Sequence, residues 1–129
     1  MTRILLDTHA FLWWCGGSSR LSSAAQQAIS NPTNEIFVSA ACLWELATKI
    51  RIGKLIFPRP TGGPLLDEVH AERFTALPIS AVHAELAGSL DHQHSDPFDR
   101  MLIAQAISEH LTLVSNEALF DCFGVTRLW

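Results

Sequence analysis

Short apolar segments alternate along this chain with longer segments whose apolar residues recur at helical spacing. Short runs of β-branched and other apolar residues that are bounded by turn residues predict β-strands. The predicted strands cover Arg3–Leu6, Glu35–Ser39, Ala76–Ile79 and Leu111–Val114, with a further short one over Val125–Leu128.

The longer segments predict helices, and the prolines and glycines between Pro58 and Pro64 predict a loop. Strands that alternate with helices form a parallel sheet covered on both faces, whose ligand site lies beyond the carboxyl ends of the strands. The predicted helices run from Ser22 or Ser23 through Ile29, over Ala40–Ile50, over Leu65–Phe74, from Ser80 toward Leu90 and over Pro97–His110.

Length and composition favour one domain over residues 1–129, because a chain of this size with 48% hydrophobic residues can bury a substantial core. No apolar run reaches the roughly 18 residues of a membrane span. The apolar run at the N-terminus is too short for a signal peptide, so we expect a cytoplasmic protein. The three cysteines form no C-x-x-C pair, which argues against a disulfide framework or a zinc site.

The net charge of −4 argues against a broad surface for nucleic-acid phosphates, because such binding needs a basic footprint. It does not exclude a nuclease whose carboxylates hold a metal ion, since the metal then supplies the positive charge. The acidic residues are therefore the main candidates for chemistry.

Two acidic residues stand out in the first half of the chain. Asp7 directly follows the first predicted strand, where it either caps a helix or belongs to a site at the strand end. Glu45 lies among apolar residues, where burial without a partner is costly. It either pairs with Lys49 on a solvated helix face or points over the strand ends toward a cation.

Further acidic residues follow in the second half. Pro97 suits the first position of a helix, which makes Asp96 the N-cap and puts Asp99 in the first turn. Glu117 comes just after the fourth predicted strand and Asp121 lies one turn later, and either alone could be an ordinary surface acid.

Four of these acids fall near a strand end or the start of the helix beyond it, namely Asp7, Glu45, Asp99 and Glu117. Several carboxylates that converge there repel one another unless a cation balances them. Carboxylate oxygens are hard ligands that suit Mg²⁺ or Mn²⁺. The pattern therefore predicts a divalent-metal site.

These acidic motifs resemble those of the PIN domain family, and within it the VapC-type toxins of type II toxin–antitoxin pairs. The resemblance spans nearly the whole chain. It implies an α/β fold, a three-layer α/β/α sandwich with a mostly parallel central sheet, and a ribonuclease that depends on Mg²⁺ or Mn²⁺. The motifs are LLDTH at residues 5–9, SAACLWELA at 39–47, DPFDRMLIAQA at 96–106 and LVSNE at 113–117.

By motif position, the resemblance implies that Asp7, Glu45 and Asp99 bind the metal and take part in catalysis. The fourth acid of the family is usually an aspartate, and this chain has the longer Glu117 there. Asp96 is an extra acid that would support the site or cap the helix. The hydroxyls that could orient the carboxylates or a metal-bound water are those of Thr8, Ser39 and Ser115.

As a mechanism, we hypothesise that the metal lowers the pKa of a bound water and polarises the scissile phosphate. Asp7 and Asp99 would be the most direct ligands, and Glu45 would complete the metal shell or accept the proton of the attacking water. The resemblance also implies an RNA substrate, a cognate antitoxin and a homodimer. A basic stretch forms either a solvated helix end or a rim that contacts RNA or antitoxin, and it includes Lys49, Arg51 and Lys54.

Three other interpretations stay open. A metal-dependent phosphoesterase for small substrates would use Asp7 as nucleophile, although such enzymes usually carry a second acid where this chain has His9. A PIN fold with weak catalysis would serve as a binding module, and the change to Glu117 favours it. A transition metal could bind at His92-Gln93-His94, although solvated loop histidines are more common.

Overall fold

A computed structural model of the chain describes residues 1–91 and 94–129 and contains a five-stranded parallel sheet. The strand order is β3-β2-β1-β4-β5, and every neighbouring pair is parallel. This sheet confirms the predicted α/β class. The strands are β1 (Arg3–Leu6), β2 (Glu35–Ser39), β3 (Thr75–Leu77), β4 (Thr112–Val114) and β5 (Arg127–Leu128).

Helices fill the connections between the strands. Because crossovers between parallel strands are right-handed, the connections from β1 to β3 cover one face of the sheet and the return from β3 to β4 covers the other, which gives three layers. The helices are α1 (Thr8–Cys15), α2 (Ser23–Ser30), α3 (Ala40–Arg51), α4 (Leu65–Ala71), α5 (Ala81–Ser89) and α6 (Pro97–Glu109), and a 3₁₀ helix covers Ala118–Phe123.

The core lies on both sides of β1, whose residues Ile4, Leu5 and Leu6 are at most 1% exposed. A strand buried on both faces is a continuous apolar run, which is why β1 shows no alternation of polar residues. Within the described ranges, no helix is long and apolar enough to cross a bilayer.

Two helical segments were not predicted from the sequence. Helix α1 begins directly after Asp7 and is apolar on nearly all sides, so its residues show no clear helical period. The 3₁₀ helix Ala118–Phe123 is too short to give one. Helix α4 also ends earlier than predicted, because Arg73 adopts a left-handed conformation with φ of 61°.

Candidate active site

The carboxyl ends of β1, β2 and β4 lie side by side because β1 pairs with both of the other strands. The residues that follow these strands therefore meet at one edge of the sheet. They surround a cavity of about 140 Å³, and five of the residues that line it are acidic. The lining residues are Asp7, Thr8, His9, Glu45, Lys49, Asp96, Asp99, Asn116, Glu117 and Phe120.

Asp7 is a buried residue that serves as helix cap and lines the cavity. Its Oδ1 accepts a hydrogen bond of 2.7 Å from the backbone N–H of Ala10, which caps α1. Burial raises the pKa of the Asp7 carboxyl, and the carboxylate of Glu45 adds to this rise, whereas hydrogen bonds from Ser115 and Ala10 oppose it. The ionised form of Asp7 is thus destabilised unless a positive charge is nearby.

Glu45 is only 9% exposed, and both of its carboxylate oxygens have partners. Thr8 Oγ1 donates to Oε1 at 2.7 Å, and Lys49 Nζ donates to Oε2 at 2.7 Å. Glu45 therefore pairs with Lys49, as one alternative predicted, but it is buried instead of lying on a solvated face, and it also lines the cavity.

Asp96 and Asp99 belong to the first turn of α6. Asp96 is the N-cap, and its Oδ1 accepts from the backbone N–H groups of Phe98 and Asp99 at 2.9 and 3.3 Å. Asp99 Oδ2 lies 2.8 Å from Nε2 of His94. Burial raises the pKa of the Asp99 carboxyl, and the negative charges of Asp96 and Glu45 add to this rise, whereas His94 lowers it.

Glu117 and Asp121 have different surroundings. Glu117 is exposed but lines the cavity, and its backbone N–H donates to Ser115 Oγ at 3.0 Å. Asp121 is held by Arg127, with distances of 2.8 and 3.0 Å to the two carboxylate oxygens, and is not among the residues that line the cavity. The geometry therefore favours Glu117 over Asp121 as the fourth acid.

The predicted supporting hydroxyls are all buried near this edge of the sheet. Thr8 holds Glu45, and Ser115 hydrogen-bonds to Asp7. Ser39 has a local role, since its Oγ accepts from the backbone N–H of Ala41 at 3.0 Å and caps α3. Of the predicted basic residues, only Lys49 lines the cavity, and Arg51 is exposed outside it. Lys54 is likewise exposed beyond the end of α3.

Some residues of the site were not selected from the sequence. His9, Asn116 and Phe120 line the cavity. His94, which the sequence offered only as a transition-metal ligand, contacts Asp99. Histidine and asparagine are common at protein surfaces and Phe120 is a buried aromatic residue typical of a core, so composition alone gave no signal for them. The structure describes only one residue of the alternative transition-metal site, because His92 and Gln93 lie outside the described residues. That residue, His94, pairs with a carboxylate.

The chemistry of this donor set fits a hard divalent cation. The acidic residues of the cavity offer only carboxylate oxygens, and burial disfavours the ionised forms of Asp7 and Asp99. Their carboxylates form hydrogen bonds with separate partners and do not converge on one point that a metal ion could occupy. Consequently, across residues 1–91 and 94–129, no three His, Cys, Asp or Glu side chains are grouped closely enough to hold a metal as they stand.

A larger cavity of about 610 Å³ lies at the other end of the sheet. It is lined by residues at the amino ends of β2 and β3, including Glu35, Ile36 and Thr75. Its acidic residues, Glu35 and Glu72, are exposed and are not gathered by buried partners as Asp7 and Glu45 are. Because ligand sites of parallel sheets lie at the carboxyl ends, the smaller cavity is the candidate active site.

Comparisons with known proteins give a family and a fold. The family model described as PIN domain matches residues 4–123. Ribonuclease VapC22 of Mycobacterium tuberculosis is 33% identical over 118 residues, which cover 91% of this chain and 88% of that protein.

Solved structures support the same fold. One is VapBC2 from Rickettsia felis bound to a DNA fragment from their promoter, with a TM-score of 0.70, 16% identity and 98% of both chains covered. Another is DNA-bound VapBC from Salmonella typhimurium, with a TM-score of 0.69, 19% identity and coverage of 99% of this chain and 98% of that one. A toxin–antitoxin complex from Klebsiella pneumoniae has a TM-score of 0.67 and 16% identity, and the match covers 98% of this chain and 96% of that one.

Proposed function

The chain belongs to the PIN domain family, and from this premise we propose that it is a metal-dependent endoribonuclease and the toxin of a toxin–antitoxin pair. The observation that carries the proposal is the cavity at the carboxyl ends of the strands, which five acidic residues line. The named ribonuclease that matches most of this chain supports the same reaction class.

We propose Mg²⁺ or Mn²⁺ as the cofactor, held by Asp7, Asp99 and Glu45, with Glu117 at the rim. When bound, such an ion lowers the pKa of a coordinated water and polarises a phosphate. Three of these acids have buried or half-buried side chains with fixed partners, whereas Glu117 is exposed and has the longer reach. Glu117 is therefore the least constrained member of the set.

The supporting residues fix the carboxylates in place. Thr8 donates a hydrogen bond to Oε1 of Glu45, and Lys49 donates one to Oε2. His94 holds one oxygen of Asp99, which leaves Oδ1 of that residue for a cation. Glu45 is the best placed general base, because Lys49 can release its Oε2 when a metal ion competes for the carboxylate or a phosphate competes for the ammonium group.

The test is cleavage of single-stranded RNA by the purified protein in Mg²⁺, in Mn²⁺ and in excess chelator. We expect cleavage with a divalent ion, none with chelator, and loss of activity in Asp7→Asn and Asp99→Asn. Asp67→Asn is the matched control, since Asp67 is exposed on α4 and does not line the cavity. The proposal would be refuted if the protein cleaved RNA equally well in excess chelator and in divalent metal, or if Asp7→Asn cleaved it as well as the parent.

The same assay separates the alternatives. Hydrolysis of a small phosphomonoester without RNA cleavage would indicate a phosphoesterase. Binding of RNA without Mn²⁺ binding or cleavage would indicate a binding module.

We also propose that the chain assembles as a homodimer and binds an antitoxin protein. Support comes from the fold shared with toxin–antitoxin complexes. Light scattering of the purified chain, alone and after co-expression with the product of an adjacent small gene, tests both parts. A strictly monomeric chain that retains no such product would contradict them.

A further inference from the structure

An aromatic pair formed by the residues that precede two acids of the cavity has no role in the mechanism above. Trp44 of α3 and Phe98 of α6 meet edge to face, with ring centroids 5.0 Å apart and planes at 77°. Trp44 is 64% exposed, although tryptophan usually buries most of its large apolar surface. The pair therefore leaves open aromatic surface facing solvent.

The position of this pair links it to the catalytic groups. Trp44 directly precedes Glu45, and Phe98 directly precedes Asp99, so the rings bridge the two helices that carry these acids. The pair itself does not line the cavity, but each of its residues adjoins one that does.

The charges around Trp44 also fit a nucleic acid. Trp44 and Arg51 lie seven residues apart on α3, which puts them on one face about 10 Å apart along the axis. Arg51 is exposed, and Thr48 lies between them on the same face. The exposed tryptophan thus shares its helix face with a polar and a basic side chain.

We propose that Trp44, held edge to face by Phe98, is a stacking site for a nucleobase of single-stranded RNA next to the scissile phosphate. This inference rests on the proposed ribonuclease function. Aromatic side chains that stack on bases contribute to the binding of single strands with little sequence preference, since every base has a π face. A duplex keeps its bases stacked internally, so the site selects unpaired RNA.

Binding is measured by fluorescence anisotropy with a labelled single-stranded oligoribonucleotide in chelator, so that cleavage is not required. We expect Trp44→Ala to raise the Kd roughly 5- to 150-fold, which corresponds to the about 1–3 kcal/mol of one stacked base. Trp44→Phe should keep most of the affinity. Val82→Ala is the matched control, because Val82 is 67% exposed on α5 and outside the cavity.

A second oligonucleotide of the same length that lacks its bases distinguishes stacking from a general loss of binding. The parent protein should bind it more weakly, and Trp44→Ala should have little further effect. Equal binding of normal RNA by the parent and Trp44→Ala would overturn the inference, as would an equal loss with the abasic strand. A change of oligomeric state in Trp44→Phe would assign the rings to a contact between copies instead.

RNA cleavage by the parent protein is recorded alongside and decides the proposed function separately. If Trp44→Ala cleaves RNA with the same KM as the parent, the stacking site is overturned while the ribonuclease assignment stands. Binding that depends on Trp44 in a protein that never cleaves would retain the stacking site and reject the enzyme.

Discussion

Replacing Asp7 and Asp99 by asparagine tests two properties of the acidic cavity. One is the loss of folded-state stability that its buried charges cause, and the other is the binding of a metal ion. The pKa of both carboxyls is raised in the folded chain, chiefly by burial. The native state therefore binds protons more tightly than the unfolded state, so stability falls as pH rises through the raised pKa values and the loss is complete above them. Asparagine removes the charge and still caps α1 at position 7.

A bound cation should reverse this destabilisation. A ligand present at 100 times its Kd stabilises the folded state by about 2.7 kcal/mol. For 129 residues, an unfolding entropy of about 2.1 cal/mol/K per residue amounts to about 0.27 kcal/mol/K, so the melting temperature should rise by about 10 °C.

Differential scanning calorimetry in chelator, Mg²⁺ and Mn²⁺ measures both effects. We expect the metal-free Asp7→Asn/Asp99→Asn variant to melt no lower than the parent, and to gain little from either metal. Asp67→Asn should behave like the parent in every condition. A parent protein that no divalent ion stabilises, or a double variant that gains as much as the parent, would refute the reasoning.

Three further predictions follow from the surroundings of single groups. Protons compete with metal at Asp7 and Asp99, whose pKa values are raised, so the affinity for Mn²⁺ should begin to fall at a pH above the usual titration range of carboxyl groups. Calorimetric titrations with Mn²⁺ at several pH values measure this, and an affinity independent of pH would contradict it. Lys49→Met removes the ammonium group that holds Glu45 Oε2 and should tighten Mn²⁺ binding up to about fivefold, because partly exposed ion pairs contribute about 0.2–1 kcal/mol, whereas Lys49→Arg should not. Iodoacetamide should modify only the exposed Cys122 in the native chain, because the pKa of the other two thiols is about 12, and mass spectra of native and denatured protein compare this directly.

Much of the candidate site follows from local rules that act along the sequence. Asp7, Ser39 and Asp96 cap helices because each comes directly before a helical segment, and their side chains satisfy the first free backbone N–H groups. The strand runs and the rule for parallel sheets then put Asp7 and Glu117 at the same edge. The caps were predictable because they depend on residues only a few positions apart, and the shared edge because ligand sites of parallel sheets lie beyond the carboxyl ends of the strands.

The partners of the acidic groups depend on packing between distant parts of the chain. Thr8 and Glu45 are 37 residues apart and meet only because β1 and β2 pair and bring α1 against α3. The contact of His94 with Asp99 spans five residues, but it requires the loop before α6 to fold back over the first turn.

The sequence by itself therefore determined the strands, most helices and the acids available for a metal site. Only the tertiary structure decided that Thr8 shares the carboxylate of Glu45 and that Arg127 holds Asp121 outside the cavity. It also left Trp44, the residue before Glu45, open to solvent. The physical reason is that backbone caps and periodicity are local, whereas burial, charge pairing and exposure are fixed by which elements pack together.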